Sequence, residues 1–160
     1  MTLARMLRVV AAAACVALLP YAQAAEMRAF DAGSLQAIKS AHAGQPFVLA
    51  FWSIHCAPCI EDMADWNALQ WRHPKVPIVL VTTDGPAEHA RAARMLVQYP
   101  PGNVERWAFA DDYAERTRYS IDAKWRGELP RTYYFDAAHV PEVVSGRLDR
   151  RWAEAWFARH

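Results

Sequence analysis

The sequence predicts an α/β fold in which helices cover both faces of a central mixed β-sheet. Three observations carry that expectation. Apolar runs of strand length alternate with stretches of helical periodicity; residues 47–52 and 77–83 are continuous apolar segments of the kind buried on both sides; and Gly, Pro or Asp marks most passages between elements. A chain of 160 residues, 54% hydrophobic and 22% charged, suits one compact domain.

Residues 27–30 read as a short first strand. Ser34 is placed to N-cap a helix to about residue 43, which Gly44 and then Pro46 close. The apolar strand 47–52 runs straight into Cys56-Ala57-Pro58-Cys59. From Pro58 onward Ile60, Met63, Ala64, Asn67 and Trp71 recur at helical spacing, and Pro58 suits a first helical turn because the N–H it lacks would have no partner there. The strand 77–83 is broken by Asp84-Gly85-Pro86 before a helix to about residue 98, which Tyr99-Pro100-Pro101-Gly102 ends. A strand over 104–110 precedes a short helix to about Ile121, with Asp111 or Asp112 as its cap. Residues 131–136 and 142–146 read as an antiparallel pair, and a last helix places Leu148, Trp152, Ala155 and Trp156 on one face. No repeat, low-complexity tract or linker divides residues 26–160.

Residues 1–25 stand apart as a signal peptide. Arg5 and Arg8 form a positive n-region, residues 9–19 are an apolar run too short to cross a bilayer comfortably, and Ala22-Gln23-Ala24 has the small-x-small cleavage pattern. An uncleaved N-terminal anchor is the alternative. Without Arg5 and Arg8 the 18 basic residues become 16 against 17 acidic ones, with no long run of either sign, so no nucleic-acid partner is indicated. Of three cysteines, Cys15 lies inside the apolar run. Ala12 and the apolar residues 16–19 argue against a lipid-modified Cys15, leaving Cys56 and Cys59 as an isolated pair in an exported domain.

The chemistry is expected in this strand-to-helix turn. Thiol–disulfide exchange needs a thiolate, and Cys56 at a helix N-terminus gains that charge state from unpaired N–H groups and the helix dipole. Cys59, one turn on, would resolve the mixed disulfide. Two intervening residues keep the sulfurs within bonding reach, and Pro58 stiffens the turn. Two other readings stay open. A structural disulfide closes so short a loop that it removes little unfolded-chain entropy. A Cu(I) site could join the two thiolates to His55, His73 or Met63.

The segment Phe51-Trp52-Ser53-Ile54-His55-Cys56-Ala57-Pro58-Cys59 resembles the active-site stretch of TlpA/ResA-like proteins, exported oxidoreductases of the thioredoxin fold with the general pattern FWxxWCxPC. Gly127-Glu128-Leu129-Pro130-Arg131-Thr132-Tyr133-Tyr134-Phe135-Asp136 resembles the segment in which that family carries a cis-proline beside the CxxC. The two matches run from Phe47 to the C-terminus. The resemblance implies catalytic Cys56 and Cys59, and a cis Pro130 which, with the Leu129 carbonyl, pairs with an extended client segment. It implies a Trp52 that walls the site and keeps it partly dry. It further implies a periplasmic, monomeric protein with no cofactor beyond the redox-active disulfide. Its partners would be client proteins with thiols or disulfides, in cytochrome c or copper-site maturation, and a membrane thiol reductase as electron donor. A copper-binding chaperone on the same fold is the alternative.

Departures from the pattern carry their own expectations. His55 stands where the family usually has Trp, either favouring the Cys56 thiolate when protonated or lying on solvated surface. Ala50 replaces the buried acid of thioredoxins proper, so the proton exchanged with Cys59 must go to water or another group. Asp62 falls where relatives place Glu and Ala64 where they place Pro, and Glu61 and Asp62 read as a solvated first turn rather than a relay. Trp125 to Glu128 is extra length before Pro130. Trp66, Trp71, Trp107, Trp152 and Trp156 fall on expected buried stripes.

Overall fold

A strand whose six side chains are all buried must lie inside a sheet covered on both sides, and β2 (Phe47–Trp52) is that strand. In the computed structural model, which describes residues 27–97 and 104–160, it is joined by β1 (Arg28–Phe30), β3 (Ile78–Thr82), β4 (Val104–Phe109), β5 (Arg131–Phe135) and β6 (Pro141–Ser145) in the order β1-β4-β3-β2-β5-β6. The first three pairings are parallel, whereas β2 with β5 and β5 with β6 are antiparallel. The expected signal peptide, Cys15 and the helix stop at 99–102 lie outside the described residues.

Alternation along β2 divides the core. Val48, Ala50 and Trp52 point to one face, covered by α2 (Ala57–Arg72), α3 (His89–Val97) and α5 (Arg150–Arg159), through Met63, Trp66, Leu69, Leu96, Trp156 and Phe157. Phe47, Leu49 and Phe51 point to the other, closed by α1 (Ser34–Ala41) and α4 (Ala114–Ile121) with Ile38, Phe109 and Trp125. Each fully buried large side chain contributes about 1.5–3 kcal/mol, so this double-sided strand fixes where the turn at its end can lie. Residues 86–88 form one 3₁₀ turn ahead of α3.

Several local expectations are corrected. Ser34 is the first residue of α1, not its cap: its hydroxyl accepts the Asp31 N–H at 2.9 Å and donates to Asp31 Oδ1 at 3.0 Å. The helix stops at Ala41, ahead of Gly44 at φ 72°. Asp111 accepts the Tyr113 N–H at 2.8 Å, forming an Asx turn one step before α4, where Tyr113 holds the cap position.

The buried stripe of α2 is Cys59, Asp62, Met63, Asp65, Trp66, Leu69 and Gln70, leaving Trp71 66% exposed. Two acids inside that stripe displaced the apolar pattern from which its orientation was read. In α5 the inward residues are Ala153, Trp156 and Phe157, with Ala155 exposed; Asp149 caps the helix by accepting the N–H groups of Arg151 and Trp152.

Candidate active site

The turn after β2 is held by a carboxylate from the end of β3. Asp84 Oδ1 accepts the Ser53 hydroxyl at 2.6 Å and Oδ2 accepts the Ile54 N–H at 2.9 Å, with the Thr82 hydroxyl also donating to Oδ2. The Ser53 oxygen in turn accepts the His55 N–H at 3.0 Å, and Ser53 O accepts the Cys56 N–H at 3.1 Å. Four consecutive residues are thereby fixed at the point where the chain leaves the sheet.

Cys56 is the N-cap of α2. Its backbone is extended, its carbonyl accepts the Ile60 N–H at 3.1 Å, and its Sγ accepts the Cys59 N–H at 3.2 Å. Pro58 sits in the first turn, as its missing donor predicts. Cys56 and Cys59 form a disulfide with Cα atoms 5.2 Å apart; Cys56 is partly exposed and Cys59 only 2%. One sulfur therefore faces solvent under a helix-start donor, and the other lies behind it. His55 is exposed on the rim.

Beneath the disulfide is a narrow cavity of about 10 Å³, at the lower limit for one water. Cys59, Asp62, Pro130 and Thr132 line it together with Ala50 and Trp52. Asp62 is the main correction to the sequence reading: it is 1% exposed and not a solvated first-turn acid. Burial pushes its carboxyl above the usual carboxylate range, opposed by the Leu148 N–H, which donates to Oδ2 at 2.9 Å, and by Arg147, whose Nε lies 3.5 Å from Oδ1. The helix thus brings into this cavity the acid that the strand lacks at Ala50. Glu61 remains on the surface and pairs with Arg147 at 2.9 Å.

On the far side of the cavity the Leu129–Pro130 bond is cis, as the resemblance implied, and Pro130 O accepts the Gly146 N–H at 2.9 Å. Leu129 is partly buried and packs against both halves of the core. Trp52 is 2% exposed, so it forms the floor of the site and not its outer surface. The extra length before Pro130 is anchored: Trp125 packs on Phe51 with ring centroids 4.7 Å apart and donates to Glu128 O at 3.0 Å. Arg131 ties the same segment together, reaching Asp122 Oδ2 at 2.7 Å, Glu128 Oε1 at 2.9 Å and Ser145 Oγ at 2.6 Å.

Of the residues considered for Cu(I), His73 is remote: it caps the opposite end of α2, over 20 Å away at ~1.5 Å per residue, and pairs with Glu154, whereas Met63 lines the same cavity as Cys59. Among the described residues no three His, Cys, Asp or Glu side chains cluster as a metal site.

No protein-family model and no curated protein matches the sequence. Solved structures do. The chain superposes on a secreted disulfide oxidoreductase of Mycobacterium tuberculosis, described as homologous to Escherichia coli DsbE, with a TM-score of 0.57 at 16% identity over 76% of this chain and 86% of that one. The fold is thioredoxin-like. A thiol:disulfide interchange protein of the thioredoxin family from Chlorobium tepidum gives 0.56 at 14% identity over 76% and 83%, and StoA of Bacillus subtilis 0.52 at 15% over 71% and 83%. At such identities the thioredoxin-like architecture is shared, while activity has to be argued from the site.

The sequence alone placed Cys56, Cys59 and Pro130 but missed Asp62, Asp84 and Arg131. Asp84 carried only a turn-former's signal and Arg131 only its place after Pro130. Asp62 did carry one, its place where relatives have Glu.

Proposed function

We propose that the protein is a thiol–disulfide oxidoreductase of the TlpA/ResA type. One observation carries the reading: a partly exposed Cys56 caps a helix whose N-terminus donates to its sulfur, with Cys59 buried directly behind it. That asymmetry gives the pair distinct roles. Cys56 as thiolate attacks one sulfur of a client disulfide, and the other client sulfur leaves as thiolate. Cys59 then attacks Cys56 Sγ, the bond from Cys56 to the client breaks, and two electrons have passed to the client. Asp62 takes the proton that Cys59 gives up; in the reverse direction it returns it. No cofactor beyond the Cys56–Cys59 pair is needed.

In this reading Leu129 and Pro130 pair with an extended client segment lying across the turn, and Trp52 keeps the floor apolar. Arg5, Arg8, the apolar run 9–19 and Ala22-Gln23-Ala24 support export to the periplasm, in keeping with a solved neighbour described as secreted. There the protein acts reductively on cysteines of client apoproteins, such as those of cytochrome c or copper sites, and is recharged by a membrane thiol reductase. The test is a Cys59→Ser variant, which stalls at the mixed disulfide. Covalent adducts through Cys56 that dithiothreitol releases, and that a Cys56→Ser/Cys59→Ser variant does not form, are expected; their absence would overturn the reading.

A further inference from the structure

Asp62 is enclosed on every side but one. From its own helix it is faced by Cys59 and Asp65; from β5 by Tyr134, whose phenol is held up by burial and by the Asp62 charge; from α5 by Arg150, which pairs with Asp65 at 2.5 Å. The remaining side is the loop between β6 and α5, where the Leu148 N–H meets Oδ2 and Arg147 lies over Oδ1. Oδ1 is sealed from solvent and has no closer donor among the described residues than that guanidinium. Arg147 itself is 58% exposed and bridges to the equally exposed Glu61. A charged group at the surface therefore lies over a buried carboxylate.

We propose that Arg147 is a positioning residue for the resolving step: its guanidinium keeps the enclosed Asp62 carboxylate charged, and so able to accept the proton that Cys59 loses as it attacks Cys56. The inference rests on the oxidoreductase reading and on the Asp62 relay within it. An enclosed carboxylate tends to stay neutral, and a neutral carboxyl cannot take a proton. The half-exposed cation offsets that tendency. In balance, the Cys59 S–H bond breaks, its proton moves to Asp62, the Cys59–Cys56 bond forms, and the client sulfur leaves as thiolate.

The test uses the reduced protein and an aromatic disulfide, dithiobis(nitrobenzoate). Cys56 releases one coloured thiolate on forming the mixed disulfide, and Cys59 releases a second on resolving it. Arg147→Gln is expected to slow the second release by about threefold or more near pH 6, with the difference shrinking as pH rises and the carboxyl loses its proton. The first release stays as in the parent. Arg147→Lys restores the rate, and Arg147→Gln added to Asp62→Asn changes nothing further. If Asp62→Asn slows the second release but Arg147→Gln follows the parent profile at every pH, the assignment of Arg147 is overturned and the relay stands. If Asp62→Asn itself leaves the second release unchanged, the relay fails and the Arg147 proposal with it. A parent protein that never releases the second thiolate would defeat the oxidoreductase reading as a whole.

Discussion

The N–H of Cys59 donates to Sγ of Cys56 over 3.2 Å, so the helical turn that buries one sulfur supplies a donor to the other. A donor and the positive end of a helix favour negative charge on Cys56, while burial gives Cys59 neither solvent nor access. In the reduced protein, iodoacetamide near pH 7 should therefore modify Cys56 at least about tenfold faster than Cys59. Mass mapping of the peptides after a brief pulse checks this, and equal labelling of the two sulfurs would contradict it.

Burial of Asp62 also has a stability cost. Its folded value lies above its unfolded one, so between the two the folded state holds a proton that the unfolded state has released, and stability falls as pH rises through that window. Asp62→Asn removes the loss and keeps an oxygen for the Leu148 N–H. The variant should gain about 2–5 °C in Tm near pH 7 and converge with the parent near pH 4. Thermal unfolding across pH measures both, and a variant less stable at neutral pH would show that Arg147 outweighs the desolvation.

The sheet, its strand order of appearance and the cysteine turn were legible in the sequence because each rests on a local signal: a six-residue apolar run, proline at a helix start, two cysteines with two residues between them. The orientation of α2 was not. Asp62, Asp65 and Gln70 occupy its buried stripe, and a reading built on apolar spacing turned the helix toward Trp71. What buries those acids comes from Arg147, Leu148 and Arg150, more than 80 positions away. A contact of that range leaves no trace in the periodicity of the helix itself.

Arg131 joins β5 to the segment before Pro130. The carboxyl of Asp122 is held below its usual range by the Lys124 N–H and by Arg131, a shift whose contribution is present above the unfolded value and lost as pH falls through the folded one. Arg131→Gln should cost about 1–2 kcal/mol near pH 7, a difference that narrows below about pH 4 as the unfolded carboxyl protonates. Urea unfolding at several pH values measures it, and a loss that persists undiminished in acid would assign the effect to packing on Tyr133.

Asp84 makes the last case, because it reaches the redox turn without touching either sulfur. Its two oxygens hold the Ser53 hydroxyl, the Ile54 N–H and the Thr82 hydroxyl, all in a buried corner between β2 and β3. Asp84→Ala takes the acceptor away from those buried donors, which should cost about 2–4 kcal/mol. Asp84→Asn keeps one acceptor oxygen and should cost less. If the role is to fix the turn, the exposed Cys56 is affected as well: Asp84→Asn should fold yet show slower first release of thiolate from dithiobis(nitrobenzoate). Destabilisation without any change in the reactivity of Cys56 would mean that Asp84 braces the sheet alone, and that the helix behind the turn holds it unaided.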